Sequence, residues 1–364
     1  MTFHEYLQKN AKQIDLEIET FFQDWSKDVE QVSSRLLPLT NTLVDACRGG
    51  KRIRGALVML GYEMSLFEKR RRSFAGAQDD KAGDGGILRA AVAYEIFQAA
   101  ILVHDDIIDK SPLRRGKPSL YARLGGDHIG KSLATCLGDI GFFLAFRLIA
   151  DSKFPEKEKN RALSIFSKAM LETGLGELLD VELSMDSRVK PEDDNDGGVM
   201  SDIVTVYRFK TAFYTITAPL LLGGVLGGLS EGSLDSIRIF GQNLGIAFQI
   251  QDDINDIFSD KKQLGKELGG DIREGKKTLL YAYASEHANK RQREILEKYY
   301  GNINIGQKEI GVVKEVLVET EALEYTLSEA SKYSKKAKES ISEITQNERF
   351  QKLFLEMAEY FVNR

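Results

Sequence analysis

The stretch ILVHDDIIDK, from Ile101 to Lys110, sets three aspartates into an apolar sequence with helical spacing. Asp105 and Asp109 stand four positions apart, so on a helix they share one face a single turn apart. Like charges at this spacing cost a helix about 0.2–0.5 kcal/mol, and burial among apolar neighbours adds to the cost. A cation that offsets these charges is therefore expected at this face.

The same pattern recurs 147 residues further along the chain, in QIQDDINDIF. A single cluster of this kind is commonly a solvated acidic turn, but two, each in an apolar helix, favour a shared function. Carboxylates with no nearby histidine or cysteine suit a hard cation such as Mg²⁺, which keeps water ligands and bridges to substrate phosphates. The predicted metal ligands are Asp105, Asp106, Asp109, Asp252, Asp253 and Asp256.

Helical spacing extends through most of the chain. Apolar residues recur three and four positions apart over Ile87–Ile108 and Asp235–Ile257, and only six prolines occur in 364 residues. Because few segments alternate with period two, the sequence predicts an all-α fold. We expect a single domain over residues 1–364, interrupted by charged, glycine-containing insertions at 68–86 and 186–198.

Composition excludes several classes of protein. Fifty Lys and Arg against fifty-five Asp and Glu give no broad basic excess of the kind that a nucleic-acid surface needs. The two cysteines and four histidines show no zinc-ligand spacing, and such sparse cysteine usage fits a reducing compartment. The longest apolar run, from Ile216 to Leu229, is too short to span a bilayer, and the first residues do not resemble a signal peptide. We expect a soluble, cytoplasmic protein with no nucleic-acid partner and no membrane span.

Basic residues accompany each acidic segment. A flexible glycine turn precedes three cations in GGKRIR (49–54), and Arg114 and Arg115 follow Asp109 closely enough to fold back over a metal-bound diphosphate. Lys210 lies in an apolar, aromatic helix, where an isolated ammonium is costly unless it meets an anion. A snorkelling lysine explains Lys210 equally well when that residue is taken singly.

Two amides and two further lysines have a similar placement. Gln249 precedes Asp252 by three positions and Gln98 precedes Asp105 by seven, so each amide shares a helical stripe with an acidic motif. Lys266 and Lys276 lie among glycines in the loop after the second motif. A solvated charge run is the alternative interpretation of that loop.

Taken together, the motifs from about Gly49 to Lys276 resemble those of the trans-isoprenyl diphosphate synthases, the polyprenyl synthetase family that includes farnesyl and geranylgeranyl diphosphate synthases. The family pattern GGKRxRP appears as GGKRIRG, with Gly55 in place of the proline. The trailing Arg-Arg-Gly, the Lys-Thr pair, FQxxDD and GxDxxEGKxT are also present. The resemblance implies a helical bundle around a central apolar cavity, a Mg²⁺-dependent prenyltransferase that uses three ions, and a homodimer.

The resemblance also implies a role for each matching residue. The residues that would hold the diphosphate of isopentenyl diphosphate are Lys51, Arg54, Gln98 (where many relatives have histidine) and Arg115. Those that would hold the allylic diphosphate are Arg114, Lys210, Thr211, Gln249, Lys266 and Lys276. Catalysis would depend most on Asp105, Asp109, Lys210 and Asp252.

Product length is predicted from the residues that precede the first acidic motif on the same helix, because these would form the floor of the pocket. The family's usual stop is an aromatic residue five positions before Asp105, but this chain has Ala100 there, followed by Ile101. At ~1.5 Å per residue, Phe97 and Tyr94 lie ~12 and ~16 Å below Asp105, although both can equally be ordinary core residues. We predict geranylgeranyl diphosphate, built from isopentenyl diphosphate on dimethylallyl, geranyl and farnesyl diphosphates, with farnesyl or longer products as alternatives.

Two rival functions fit less well. A terpene cyclase shares one DDxxD motif but closes its second metal site with a glutamate, and the equivalent position here is Gln263. A cyclase also has no need of Lys51, Arg54 and Gln98. A non-catalytic partner subunit of a heteromeric synthase would be expected to lose acidic residues, whereas all six are present.

Overall fold

The computed structural model describes residues 1–72, 81–185, 198–259 and 268–362. Within these ranges the chain is helical apart from one short hairpin of two-residue strands and the connecting turns. The prediction of an all-α fold is confirmed.

The first half of the chain supplies, in order, α1 (Phe3–Val32), a 3₁₀ turn (Ser34–Leu36), α2 (Leu37–Cys47), α3 (Ile53–Arg72), α4 (Lys81–Ile108), β1 (Leu113–Arg114), β2 (Lys117–Pro118), α5 (Leu120–Arg123), α6 (His128–Ala150) and α7 (Glu156–Met185). The second half supplies α8 (Gly198–Val206), a π-helix (Tyr207–Thr217), α9 (Ala218–Leu226), α10 (Glu231–Phe258), α11 (Gly270–Glu274), α12 (Leu279–His287), α13 (Lys290–Tyr299), α14 (Gln307–Glu319), α15 (Ala322–Glu339), α16 (Ile341–Ile344) and α17 (Glu348–Val362).

The backbone divides into two compact units. The first unit comprises Met1–Ser167, Ala218–Asp235 and Thr345–Leu353, and the second comprises Lys168–Thr217, Ser236–Ile344 and Phe354–Arg364. The first acidic motif belongs to the first unit and the second motif to the second unit. That the whole chain forms a single domain stays a prediction.

Small residues let the helices of the first unit approach closely. A Cβ on Gly223 of α9 would sit 1.9 Å from the Val58 carbonyl oxygen of α3, so only glycine fits there. A Cβ on Gly141 of α6 would sit 2.9 Å from the Cβ of Ala100 on α4. These contacts fix α4, and with it the first acidic motif, against its neighbours.

The second unit has a continuous apolar core that runs beneath the second acidic motif. Its buried members come from several helices and include Ile203 (α8), Ile250 and Ile254 (α10), Leu280 (α12) and Val313 (α14). Ile250 and Ile254 flank Asp252 and Asp253, so the core holds this part of α10 from one side.

The helices set narrower limits on the predicted insertions. Helix α3 continues to Arg72, and Glu68 is buried and accepts a hydrogen bond of 2.6 Å from the Thr345 hydroxyl. Helix α4 begins at Lys81 and α8 at Gly198. The rest of both insertions, residues 73–80 and 186–197, lies outside the described residues.

In the described part of the chain, three helical stretches are long and apolar enough to cross a bilayer by length and composition alone: Gly85–Ile108, His128–Ala150 and Gly198–Leu226. In the first and third, 78% of the apolar window is buried inside the protein, as in helices that form a core. In His128–Ala150 the buried share is 44%, because part of that helix leaves apolar side chains exposed. The length of the longest uninterrupted apolar run, Ile216 to Leu229, is therefore a poor measure of how apolar these helices are.

Candidate active site

The glycine turn before α3 has a left-handed backbone at Gly49 (φ 76°) and Gly50 (φ 97°). The Arg115 guanidinium lies against this turn, since a Cβ on Gly50 would be 3.2 Å from its Nη2. A side chain at position 50 would therefore displace Arg115. Burial and the neighbouring cations Arg114 and Arg52 lower the pKa of Arg115.

Arg52 anchors the same turn from inside. It is 4% exposed and pairs with Asp15 at 2.6 Å and with the buried Glu95 at 3.5 Å. Glu95 also accepts a 2.8 Å hydrogen bond from the Gly55 backbone N–H. Proline, the family residue at this position, could not donate that bond. Arg52, one of the three cations in GGKRIR, therefore stabilises the fold. The sequence pattern did not distinguish this role from ligand binding.

In the first acidic motif, Asp106 turns inward to meet Arg114. Its carboxylate is 3% exposed and accepts two hydrogen bonds from Arg114, from Nε at 2.9 Å and from Nη2 at 2.5 Å. The β1–β2 hairpin returns Arg114 to α4, with Arg115 in its turn at φ 54°. Burial raises the pKa of Asp106 even though Arg114 opposes the shift. Asp106 and Arg114 therefore form a buried ion pair, and Asp105 and Asp109 lie on another face of the helix.

A cavity of about 610 Å³ lies beside this ion pair within the first unit. Its basic lining residues are Arg48, Arg114, Arg115, Lys117 and Arg123, against the carboxylates Asp45 and Asp106. Within the described part of the chain, the Ser119 hydroxyl in its wall is buried without a hydrogen-bond partner. A cavity with this excess of cations suits an anion such as a diphosphate.

Gln98, like Ser119, has a buried polar atom whose hydrogen-bonding capacity is not satisfied among the described residues. Its side-chain oxygen is buried with no hydrogen-bond partner among the described residues. Such an atom costs about 1–3 kcal/mol, and turning the amide over would present an NH₂ group at the same place. Gln98 is therefore suited to hydrogen-bond a ligand.

In the second acidic motif, Asp253 is held through both of its oxygens. The Tyr207 hydroxyl donates to Oδ2, and Gln249 Nε2 donates to Oδ1 at 2.7 Å. Gln249 in turn accepts a 2.6 Å hydrogen bond from the Thr211 hydroxyl. Burial raises the pKa of Asp253 to about 7, opposed by the two hydrogen bonds that it accepts. The predicted residues Thr211, Gln249 and Asp253 thus form one network.

Lys210 and Thr211 lie in the π-helix, which two neighbouring helices accommodate through glycines. A Cβ on Gly176 of α7 would be 2.4 Å from the Lys210 backbone nitrogen, and one on Gly245 of α10 would be 2.4 Å from Ala212 Cα. π-Helical turns are wider than α-helical ones and are frequent at functional sites. The backbone around Lys210 is therefore confined on both sides.

The Lys210 ammonium pairs with two carboxylates of α7, Glu177 at 2.7 Å and Asp180 at 2.5 Å. Burial disfavours its charge, but Asp180 and Glu177 outweigh that effect and raise the pKa of Lys210. Sequence reasoning missed both acids, although their i, i+3 spacing in the apolar GELLDVEL segment was a signal.

The segment after the second motif is tied back to α10. Asp256 Oδ2 accepts a 3.0 Å hydrogen bond from the Asp271 backbone N–H. Lys276 Nζ lies 2.9 Å from Glu274, and the Tyr300 hydroxyl donates to the Lys276 carbonyl at 2.7 Å. Lys266 lies outside the described residues.

The three residues predicted to set product length, Phe97, Ala100 and Ile101, have different surroundings. Phe97 is 1% exposed and lies in an aromatic cluster, with ring centroids 5.6 Å from Phe142 and 5.0 Å from Phe166. Ala100 packs on Gly141 of α6 with no room for a larger side chain, and Ile101 is buried. Of the three, Phe97 is the bulky residue that can act as a floor.

A helical fold with two aspartate-rich helices, each accompanied by cations and amides, defines the class of isoprenoid synthases. The polyprenyl synthetase family model matches residues 38–319. The chain therefore belongs to the polyprenyl synthetase family and is a prenyltransferase.

Individual relatives agree with this assignment. A short chain isoprenyl diphosphate synthase of Methanocaldococcus jannaschii is 31% identical over 74% of this chain and 72% of its own length. A geranylgeranyl diphosphate synthase of Saccharolobus solfataricus is 27% identical over 99% of this chain and 97% of its own.

Solved structures share the fold. A geranylgeranyl pyrophosphate synthase of Corynebacterium glutamicum, complexed with isoprenyl diphosphate and magnesium, is similar with a TM-score of 0.86, 24% identity and full coverage of both chains. A polyprenyl synthase of Caulobacter crescentus, complexed with calcium and isoprenyl diphosphate, is similar with a TM-score of 0.76 and 27% identity over 99% of this chain and 98% of its own.

Replacing Arg52 with methionine should destabilise the protein by about 3–5 kcal/mol, because Glu95 is left buried without its cation. Urea unfolding followed by circular dichroism measures this loss. The double variant R52M/E95Q removes both charges and should recover much of the stability. Equal losses in the single and double variants would contradict the assigned ion pair.

Proposed function

We propose that this prenyltransferase condenses isopentenyl diphosphate head to tail with allylic diphosphates to make geranylgeranyl diphosphate. The observation that carries the proposal is the cation-lined cavity beside the Asp106–Arg114 pair, where the buried Ser119 hydroxyl has no hydrogen-bond partner among the described residues and Arg115 lines the wall. An anionic substrate would satisfy these groups. The relatives of assigned product length include geranylgeranyl diphosphate synthases that span nearly the whole chain.

We propose that Mg²⁺ is the metal, with Asp105 and Asp109 as its main ligands in the first acidic motif and Asp252 in the second. Mg²⁺ typically takes one or two carboxylates and completes its shell with water and substrate phosphate. Asp106 accepts hydrogen bonds from Arg114 within the first motif, and Asp253 accepts them from Tyr207 and Gln249 within the second, so each would orient its own motif.

Breaking the allylic C–O bond leaves negative charge on the departing diphosphate. Bound Mg²⁺ would supply most of the neutralising charge. Arg114 and Lys210, each already oriented by carboxylates, would add fixed positive charge where it develops. The resulting allylic cation must meet the double bond of isopentenyl diphosphate before water does, which buried side chains such as Phe97 favour. The released diphosphate would take the proton in the final step.

Replacing Asp105 or Asp252 with alanine should lower the rate of condensation by at least about 100-fold, the scale of losing one fixed electrostatic contribution in a catalytic site. Incubation with isopentenyl and dimethylallyl diphosphates followed by product chromatography measures this. Asp151→Ala, at a highly exposed position, is the matched control and should retain wild-type turnover. Normal turnover in both motif variants with intact helical content would exclude the proposed chemistry.

Phe97→Ala should lengthen the product beyond geranylgeranyl diphosphate, because removing the ring opens the aromatic cluster beneath the first acidic motif. Product chain length is read by mass spectrometry. Phe22→Ala empties a comparable buried position on α1 and should leave the product unchanged. An unchanged product in F97A would place the floor on another residue.

We further propose that the protein is a soluble, cytoplasmic homodimer. On α6, Ile129 is 64% and Phe143 76% exposed, and on α7 Leu171, Leu175 and Leu178 are each more than 60% exposed at i, i+4 and i+7. Exposed apolar rows of this kind are typical of subunit interfaces. A second copy of the chain would cover them.

Phe143→Lys should shift the protein towards monomer, since a lysine at the centre of an apolar interface loses contact area and adds an unpaired charge. Sedimentation velocity measures the association state. Thr135→Lys, at an exposed polar position on the same helix, adds the same charge as a control. An F143K variant that associates like the wild type would contradict the use of this face.

A further inference from the structure

Tyr207, the first residue of the π-helix, belongs to no sequence motif, yet its hydroxyl makes two hydrogen bonds within the second unit. It is 4% exposed, and its hydroxyl donates to Asp253 while accepting a 3.1 Å hydrogen bond from the Leu279 backbone N–H. A phenol has one proton to donate, so giving it to Asp253 leaves a lone pair facing Leu279. Both contacts are therefore made by one atom in one orientation.

This atom joins three segments that each carry a predicted site residue. The π-helix carries Lys210 and Thr211, α10 carries the acidic motif, and Leu279 begins α12 directly after the Lys276–Thr278 segment. At Leu279 the N–H is one of those that a helix cannot satisfy internally. The Thr278 side chain caps the Tyr281 N–H, so Tyr207 and Thr278 each satisfy one open donor of α12.

Tyr300 secures the same segment from its other side. Its hydroxyl donates to the Lys276 carbonyl at 2.7 Å, and its ring lies 4.1 Å from that of Tyr281. The backbone from Lys276 to Leu279 is thus held at both ends by phenol hydroxyls. Of the two, Tyr207 alone also contacts the acidic motif.

We propose that Tyr207 is a positioning residue for the second acidic motif: it fixes the orientation of the Asp253 carboxylate and ties the start of α12, with Lys276, to α10. The inference rests on the proposed function, because it assigns Tyr207 a role in that reaction. Without the hydroxyl, Gln249 is the one hydrogen-bond donor left to Asp253 among the described residues, so the carboxylate can rotate, and the buried Leu279 N–H loses its acceptor.

Hydrogen exchange tests the structural half of the proposal without any turnover. In Tyr207→Phe, peptides covering residues 276–282 should exchange at least about tenfold faster than in the wild type, since the Leu279 amide and its neighbours lose their tether. Tyr6→Phe is the matched control, because Tyr6 is also fully buried and donates to a carboxylate, Glu63, at 3.1 Å. It should leave exchange in 276–282 unchanged.

Steady-state kinetics test the functional half. Tyr207→Phe should lower kcat about 10- to 100-fold and raise the Mg²⁺ concentration needed for half-maximal rate, as when a group that orients a metal ligand is lost. The KM for isopentenyl diphosphate, assigned to residues of the first unit, should not change. Tyr6→Phe should lower the melting temperature and leave these parameters at their wild-type values.

A second pair of variants tests the same contact without altering Tyr207. Leu279→Pro removes the backbone donor at a first helical position, where proline is well tolerated, and Leu279→Ala truncates the side chain but keeps the donor. Leu279→Pro should reproduce the faster exchange in 276–282 and part of the kinetic change of Tyr207→Phe, because it leaves the Tyr207–Asp253 hydrogen bond in place. Combining the two should add little to the exchange of that segment. Leu279→Ala should show only lower stability.

The outcomes separate the two proposals. Faster exchange in 276–282 with wild-type kcat and Mg²⁺ response would overturn the positioning role, as would equal kinetics in Leu279→Pro and Leu279→Ala. A wild-type protein that makes no polyprenyl diphosphate would instead overturn the proposed function, and the exchange result would still report on the tether.

Discussion

The structure depends on compensating the negative charge of aspartate carboxylates that are buried inside apolar helices. The first acidic motif has one aspartate that is nearly inaccessible to solvent, Asp106 at 3% exposed, and the second has two, Asp253 at 5% and Asp256 at 2%. A buried carboxylate without partners is expensive, and the two motifs meet this cost differently. Asp106 pairs with the guanidinium of Arg114, whereas Asp253 accepts two neutral hydrogen bonds from Tyr207 and Gln249. Both arrangements fix the helix face that bears the remaining aspartates.

The difference between the two solutions has an electrostatic consequence. Arg114 brings a full positive charge to the first motif, so that its local charge is partly neutralised before any substrate binds. Tyr207 and Gln249 bring none. Burial raises the pKa of Asp253 to about 7, and the two hydrogen bonds and the charge of Lys276 oppose that shift. A cation bound at the second motif would favour the ionised form of Asp253.

Sequence patterns predicted the elements of the site better than their contacts. The i, i+4 spacing of Asp105 and Asp109 placed both on one helical face, and apolar periodicity around them predicted the helices that carry them. Spacing alone could not show that Asp106 turns to Arg114, because that contact requires the β1–β2 hairpin to return the chain to α4. Nor could it show Arg52 turning inward, since its partners Asp15 and Glu95 lie on other helices.

Tyr207 and Ala100 also show which contacts a single sequence does not reveal. Tyr207 belongs to no motif, and its importance comes from residues 46 and 72 positions away in the chain. The sequence pattern singled out Ala100 because the family usually has an aromatic residue at that position. The structure shows in addition that the small Ala100 side chain packs closely against Gly141 of α6. Long-range packing of this kind leaves no periodic signal in a single sequence.

Hydrogen-bonding capacity explains how residues already engaged with the protein can also bind substrate. A lysine ammonium has three donors, and the contacts of Lys210 to Glu177 and Asp180 use two of them. A guanidinium has five, and Asp106 accepts from only two of those of Arg114. Each cation can therefore donate to a diphosphate oxygen without releasing the carboxylates that orient it. The same carboxylates limit its movement, so the positive charge is in place before the allylic bond breaks and little reorganisation is required when it does.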